Sequence, residues 1–230
     1  MAIVKFPSSF CTELNSIVAR FWWKGQQKDR GIHWRSWSKL SKPKREGGMG
    51  FRNFIDQNTA HLGKQAWRIL VNPTSLWATI LKVIYFPNTE FSKVVVGRNP
   101  SWAWRSIVEG KNFILHHSRW AIGRGDSIRV RGESWIWNGD IIPQATLPSD
   151  MRVIELLDPG SSGWDVGKVS TLFSPQVAFR VLQTPVGLTG GIDSLVWPHS
   201  NDGCYSIKTG YHLARLEGES SPQGVRSRID

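Results

Sequence analysis

Cysteine is scarce: only Cys11 and Cys204 occur among 230 residues. That excludes a disulfide-stapled secreted domain. It also excludes a four-ligand zinc site of familiar spacing, although six histidines are present. Long apolar runs are missing too, none approaching the roughly 20 residues that cross a bilayer. The N-terminus MAIVKFPSSF has no apolar core of the kind secretory signals use, so no membrane partner and no secretion are expected. Phosphate-binding loops are likewise absent. GGMG (47–50) and GRGD (123–126) fit neither the G-x-x-x-x-G-K-[ST] nor the G-x-G-x-x-G spacing. Arg-Gly-Asp at 124–126 has no secretory context that would make it an adhesion motif. Acid is short as well, with 18 Asp and Glu against 29 Lys and Arg.

What remains is a basic chain of net charge +11 and pI near 10.1, 40% apolar, long enough for one large or two small domains. The charge is uneven. Residues 1–60 hold 11 basic and 4 acidic side chains, residues 61–135 the same, and residues 136–230 hold 7 and 10. Eleven of 13 tryptophans lie between Trp22 and Trp137. An anionic partner follows from the charge, whereas the fold does not. The first 28 residues carry Lys5, Arg20, Lys24 and Lys28 with one acid, Glu13. Mitochondrial presequences share that mix with the polar face of an ordinary amphipathic helix, and we read the latter. The location expected is intracellular, nuclear or cytoplasmic ahead of mitochondrial.

Helical spacing over 9–23 puts Phe10, Leu14, Ile17, Val18 and Phe21 on one stripe. Residues 24–50 are basic and broken by Pro43 and Gly47-Gly48, with a short element near 32–40. A helix over 54–71 shows Leu62, Ala66, Ile69 and Leu70 on one face and stops at Asn72-Pro73. A second follows Thr74 or Ser75 with Leu76, Ile80, Leu81 and Ile84 aligned. A third opens at Pro100 with Trp104, Ile107, Val108 and Leu115. Alternation then predicts a β-hairpin, Trp120 and Ile122 against Ile128 and Val130, turning at Gly123–Asp126. Trp135 and Trp137 continue that alternation. Short helices are expected near 150–157, capped by Asp150, and from Pro175 to about Gln183. Residues 193–197 and 205–208 read as a second hairpin, with a helix from about Gly210. The fold class is α+β: a helical basic N-terminal part, then short hairpins and short helices. The boundaries expected are 1–115, 116–183, 184–216 and a disordered polar tail over 217–230.

Several strings occur in a characteristic order: FWWKG (21–25), IHWRSWSKLSKPKREGGMGFRNF (32–54), KQAWRIL (64–70) and NPTSLWATILKVIYFP (72–87). PSWAWRSI (100–107), RWAIGRGDSIRV (119–130) and DSLVWPHSNDGCYSIKTGY (193–211) follow. Together they resemble the connecting region of plant non-LTR (LINE-type) retrotransposon polyproteins, over about residues 1–212. In that family the region lies between the reverse-transcriptase domain and a zinc-binding segment, which an RNase H domain often follows. The resemblance implies that residues 184–216 correspond to the start of the zinc-binding segment, here truncated. The departures are chemical. There is no Asp-Asp pair for a polymerase, no Cys-x-x-Cys for zinc and no counterpart of the RNase H carboxylates. The chain therefore reads as an excised piece without an enzyme's machinery and without a cofactor.

The acid pairs that remain, Asp126 with Glu133 and Asp193 with Asp202, are more simply turn residues. His116-His117 point about 100° apart on a helix and suit its C-terminus, and Cys11 is a small side chain on an amphipathic helix. No catalytic or metal-binding residue is assigned. The candidate contacts are to nucleic-acid phosphates: Lys24, Lys28, Arg30, Arg35, Lys39, Lys42, Lys44, Arg45 and Arg52, with Trp34 and Trp37 interleaved. A second set, Arg119, Arg124, Arg129 and Arg131, would line a strand face. Indoles stack on unpaired bases at about 1–3 kcal/mol each. The function expected is a non-enzymatic, RNA- or DNA-binding remnant of a retrotransposon reverse-transcriptase polyprotein, with other retroelement domains as further partners. The alternatives are part of a reverse transcriptase or RNase H that acts only with missing domains, a protein-interaction module, and a functionless pseudogene product.

Overall fold

The computed structural model describes residues 3–24, 33–137, 147–160, 163–187 and 191–220. Its class is α+β: among the described residues, helices and one two-stranded antiparallel sheet. The chain divides into two compact units. One comprises residues 1–69, 74–113 and 206–230, and the other residues 70–73 and 114–205.

The first unit is helical: α1 (Ser8–Lys24), α2 (Trp37–Leu40), most of α3 (Phe54–Val71), α4 (Leu76–Tyr85), most of α5 (Trp102–His117) and α8 (Ile207–Ser220). α3 ends at Asn72-Pro73, as a proline that cannot continue the hydrogen-bond ladder requires. α5 buries Trp104, Ile107 and Val108, the expected stripe. The Trp104 indole stacks on Tyr85 at 4.4 Å and meets Phe86 and Phe91. Asn58 of α3 is almost wholly buried. Its amide accepts from Phe6 N–H at 2.8 Å and donates to the Val4 carbonyl at 2.9 Å, pinning the N-terminal strand of chain.

Two faces differ from expectation. α1 buries Cys11, Asn15 and Ala19, while Phe10, Ile17 and Phe21 of the apolar stripe are exposed. Small residues permit close approach, and Asn15 is held because its side-chain oxygen accepts from Phe54 N–H at 3.2 Å. α4 buries Ala78 and Leu81 and leaves Leu76, Ile80 and Ile84 exposed. Periodicity located both helices, but of the two apolar rows it placed inside only Leu81 is fully buried.

The second unit holds β1 (Arg119–Ala121), α6 (Val166–Leu172), α7 (Pro175–Gln183) and β2 (Ser194–Val196). The hairpin expected over 120–130 does not form. β1 pairs antiparallel with β2, Trp120 opposite Leu195. Residues 128–130 instead pair with 151–153 through Val130 N–H to Met151 O at 2.9 Å and Val153 N–H to Ile128 O at 3.0 Å. The reason lies in the intervening turn: Gly123, Gly125 and Ser127 aim their backbone N–H groups at the buried carboxylate of Asp193, just before β2. A side chain outside the turn directs the pairing, which alternation cannot register. The second expected hairpin is also replaced. Trp197 N–H reaches Gly203 O at 2.8 Å, and α8 begins at Ile207 and runs through Ser220, past the boundary placed at residue 217. The element near 150–157 is a 3-10 turn, Val153–Leu156, closed by reciprocal bonds of Arg152 and Glu155 rather than capped by Asp150. The core is Ile122, Ile128, Trp135, Val153, Leu156, Val169 and Val181 with their neighbours.

Candidate nucleic-acid interface

Residues 33–52 of the first unit form a basic knuckle. The α-helical part is the single turn of α2. Pro43 then opens a 3-10 turn, Lys44–Glu46, and Gly47 follows in the left-handed conformation at φ 77°. The strand of chain folds back, Met49 N–H reaching Leu40 O at 2.9 Å and Gly50 N–H reaching Lys42 O at 2.8 Å. A Cβ on Gly48 would sit 2.0 Å from the Lys42 carbonyl oxygen, so the turn requires glycine there. The GGMG string is thus the hinge of a knuckle and not a phosphate cradle.

The knuckle is fixed at its base. Phe51 stacks on Trp37 at 5.2 Å and meets Trp22 edge-on at 4.8 Å. The Arg52 guanidinium lies 4.5 Å over the Tyr211 ring. Tyr211 accepts Asn53 N–H at 3.0 Å through its phenol oxygen. Arg215, buried on α8, grips both Glu46 oxygens at 3.1 and 3.2 Å and also holds Glu219 at 3.0 Å. This arrangement decides the sign of the surface. Glu46 is the sole acid of residues 33–52. The hydrogen bond from Arg215 holds its carboxyl below the usual range, with burial opposing and Arg45 and Lys42 adding to the effect.

Lys39, Lys44 and Arg45 are exposed, Lys42 is half-buried, and Trp34 is 75% exposed beside them. Arg35 is exposed and donates to Gly47 O at 3.2 Å. Lys24 is exposed at the end of α1. Lys28 and Arg30 lie outside the described residues. In the second unit Arg124 is exposed, but Arg119 and Arg131 are drawn to backbone carbonyls. Arg119 donates to Ile136 O at 2.9 Å and Arg131 to Leu147 O at 3.0 Å. Arg129 is half-buried, with its backbone N–H on Glu133 at 2.9 Å. Arg131 is half-buried too, and Gly132 turns the chain just after it at φ 79°. Sequence reasoning missed Tyr211 and Arg215. No local signal could have found them, since only the fold brings α8 to the knuckle.

Asp56, at the start of α3, is buried, and that burial raises its carboxyl to about 6, with Arg215 lowering it and Glu219 raising it. The folded chain thus keeps a proton that the unfolded chain loses near 3.9. Stability from this group is greatest below the unfolded value, falls as pH rises to about 6 and is level beyond. An Asp56→Asn variant is expected to gain about 2–3 kcal/mol at pH 7.5 and far less at pH 4, because each tenfold change in proton affinity on folding is about 1.4 kcal/mol. Urea denaturation at the two pH values checks this, and equal gains at both would contradict it.

Known proteins offer two points of comparison. The chain is 35% identical over 144 residues to an Arabidopsis thaliana protein named "Uncharacterized mitochondrial protein AtMg00310", covering 62% of this chain and 94% of that one. It is 28% identical over 232 residues to "Putative ribonuclease H protein At1g65750" of the same plant, covering 96% of this chain. It spans 37% of that second protein's length. No family model matches the chain. No solved structure matches it.

Proposed function

This chain belongs to the plant retrotransposon-derived family of the Arabidopsis mitochondrial protein AtMg00310, and on that premise we propose that it binds the backbone of RNA or DNA and catalyses nothing itself. One observation carries the reading. Four cations, Lys39, Lys42, Lys44 and Arg45, share the knuckle with an exposed indole, while the segment's sole acid is gripped by Arg215 and lies 3.8 Å from Arg45. Phosphate binding needs cations able to reach a chain of regularly spaced negative charges, and an exposed indole adds a stacking platform for unpaired bases. The absence of catalysis is supported by the missing Asp-Asp pair and by the fate of a buried acid, Asp193, whose oxygens are both engaged by turn donors. The relative named as a ribonuclease H is much longer, so activity in this chain is not carried over from it.

The test is a titration of single-stranded RNA and DNA at two ionic strengths, read by the native indoles. Replacing Lys42, Lys44 and Arg45 together by Ala should weaken all sequences alike, because phosphate contacts carry no base information. It should also flatten the slope of log K against log salt by about 2, at roughly −0.7 per lost contact on a single strand. Affinity indifferent to salt would overturn the reading, and so would metal-dependent cleavage of an RNA–DNA hybrid by the isolated chain.

A second reading, a protein-interaction module, is favoured by α4. Leu76 is 78% exposed there, and Ile80, Val83 and Ile84 continue an exposed apolar row. Salt-insensitive capture of a protein partner, lost on Val83→Lys, would promote it.

A further inference from the structure

The C-terminal end of α5 carries a histidine pair that takes no part in the knuckle. In the second unit these residues border a cavity of about 270 Å³, below the roughly 300–1,000 Å³ of most small-molecule pockets. That is room for one compact group. Its walls include His116, His117, Ser118, Arg119, Trp137 and His199, with no acidic residue among the lining side chains.

The geometry is built rather than accidental. Trp197 is fully buried and meets the rings of His117 at 6.2 Å and His199 at 5.0 Å, both edge-on. The two imidazoles stand 6.1 Å apart. Arg119 is fixed by its bond to Ile136 O, so its guanidinium is held in place. Ser118 is 2% exposed, and its hydroxyl finds no hydrogen-bond partner among the described residues. A buried hydroxyl left unmatched costs about 1–3 kcal/mol, so such a group inside a cavity marks a place where a ligand atom completes the site. Trp137 is 52% exposed at the rim, a flat surface suited to a base.

We propose that this cavity is a phosphate site: Arg119, the paired imidazoles of His117 and His199 and the Ser118 hydroxyl surround a phosphate group, and Trp137 offers its ring to the attached nucleoside. The chemistry matches, since a guanidinium, the imidazole N–H groups and the hydroxyl can all donate to the oxygens of an anion. The assignment rests on the second unit alone and does not depend on the knuckle. His199 reports on occupancy. Burial, with the charge of His117 and of Arg119, holds its imidazole below the ordinary value, opposed by a bond to the His117 backbone. An anion between these groups reverses the effect of its charged neighbours and moves the His199 titration upward.

The experiment is histidine NMR on the full chain with inorganic phosphate, then AMP, then an unphosphorylated thymidine hexanucleotide. Expected are saturable shifts of His117 and His199 with phosphate and an upward move of the His199 midpoint. Affinity should fall about tenfold in His199→Gln and about threefold in Ser118→Ala, in line with loss of one charged and one neutral hydrogen bond. Ser118→Ala removes an unpartnered hydroxyl and should leave the fold intact. Competition by AMP alone assigns the phosphate to a free nucleotide, and competition by the hexanucleotide assigns it to a strand; either supports the site. The Lys42, Lys44 and Arg45 triple variant should bind phosphate here unchanged, which separates this site from the knuckle. Absence of saturable shifts, or shifts undiminished in His199→Gln, would overturn the proposal.

Discussion

Asp193→Ala is expected to lower the stability of the second unit by about 3–5 kcal/mol, the range seen when a buried charged partner is removed from a satisfied network. The carboxylate is 6% exposed and accepts four bonds: from Gly123 N–H at 2.7 Å, Gly125 N–H at 2.8 Å, Ser127 N–H at 2.9 Å and the Ser127 hydroxyl at 2.7 Å. Truncation strands three backbone donors, of which the Gly125 N–H is fully buried, with water as their only replacement. Burial pushes this carboxyl up, and the Ser127 hydroxyl with the three N–H groups more than reverses it, leaving the net value depressed. Its contribution is therefore complete above the unfolded carboxylate range and is lost as pH falls through the depressed folded value. The Val153 N–H, which bonds Ile128 O inside the core strand pairing, is a suitable hydrogen-exchange reporter. Protection there unchanged in the variant would show that the turn does not depend on Asp193.

Gly110→Ala should also be severe, although alanine is the better helix former by about 1 kcal/mol. Gly110 lies on α5, where a Cβ would meet the Leu62 carbonyl oxygen at 2.5 Å and its carbon at 2.6 Å. Both are backbone atoms of α3, so no rotamer change relieves the overlap. The two helices must move apart, and overpacking of this kind costs about 1–3 kcal/mol beyond the propensity gained. Denaturant unfolding followed by tryptophan emission measures the change. A variant more stable than the parent would refute the close crossing of α3 and α5.

The helices were the legible part of this fold, because their signals are local. Asn72-Pro73 stops α3 and Ser174-Pro175 starts α7 wherever the rest of the chain goes. Trp104 is a core residue as its spacing implied. Orientation was less legible. The apolar rows of α1 and α4 are real, yet small residues and Asn15 form the buried side of one, and Ala78 and Leu81 that of the other. Strand pairing was illegible, since Asp193 acts on a turn some 70 residues earlier through bonds that carry no compositional trace. For the candidate surface, composition pointed to Lys39 through Arg45 as a group. It could not foresee that Arg119 and Arg131 would be drawn to carbonyl oxygens.

The clamp of Tyr211 and Arg215 on the knuckle has a consequence for synthesis. The knuckle leaves the ribosome well before α8, the last of the described elements to be translated, with the whole of the second unit between them. At about 5–20 residues per second, the interval is on the order of ten seconds. Nascent chains paused before Tyr211 carry Lys42, Lys44 and Arg45 on a tether still lacking its anchor, and only completion of α8 locks them into place.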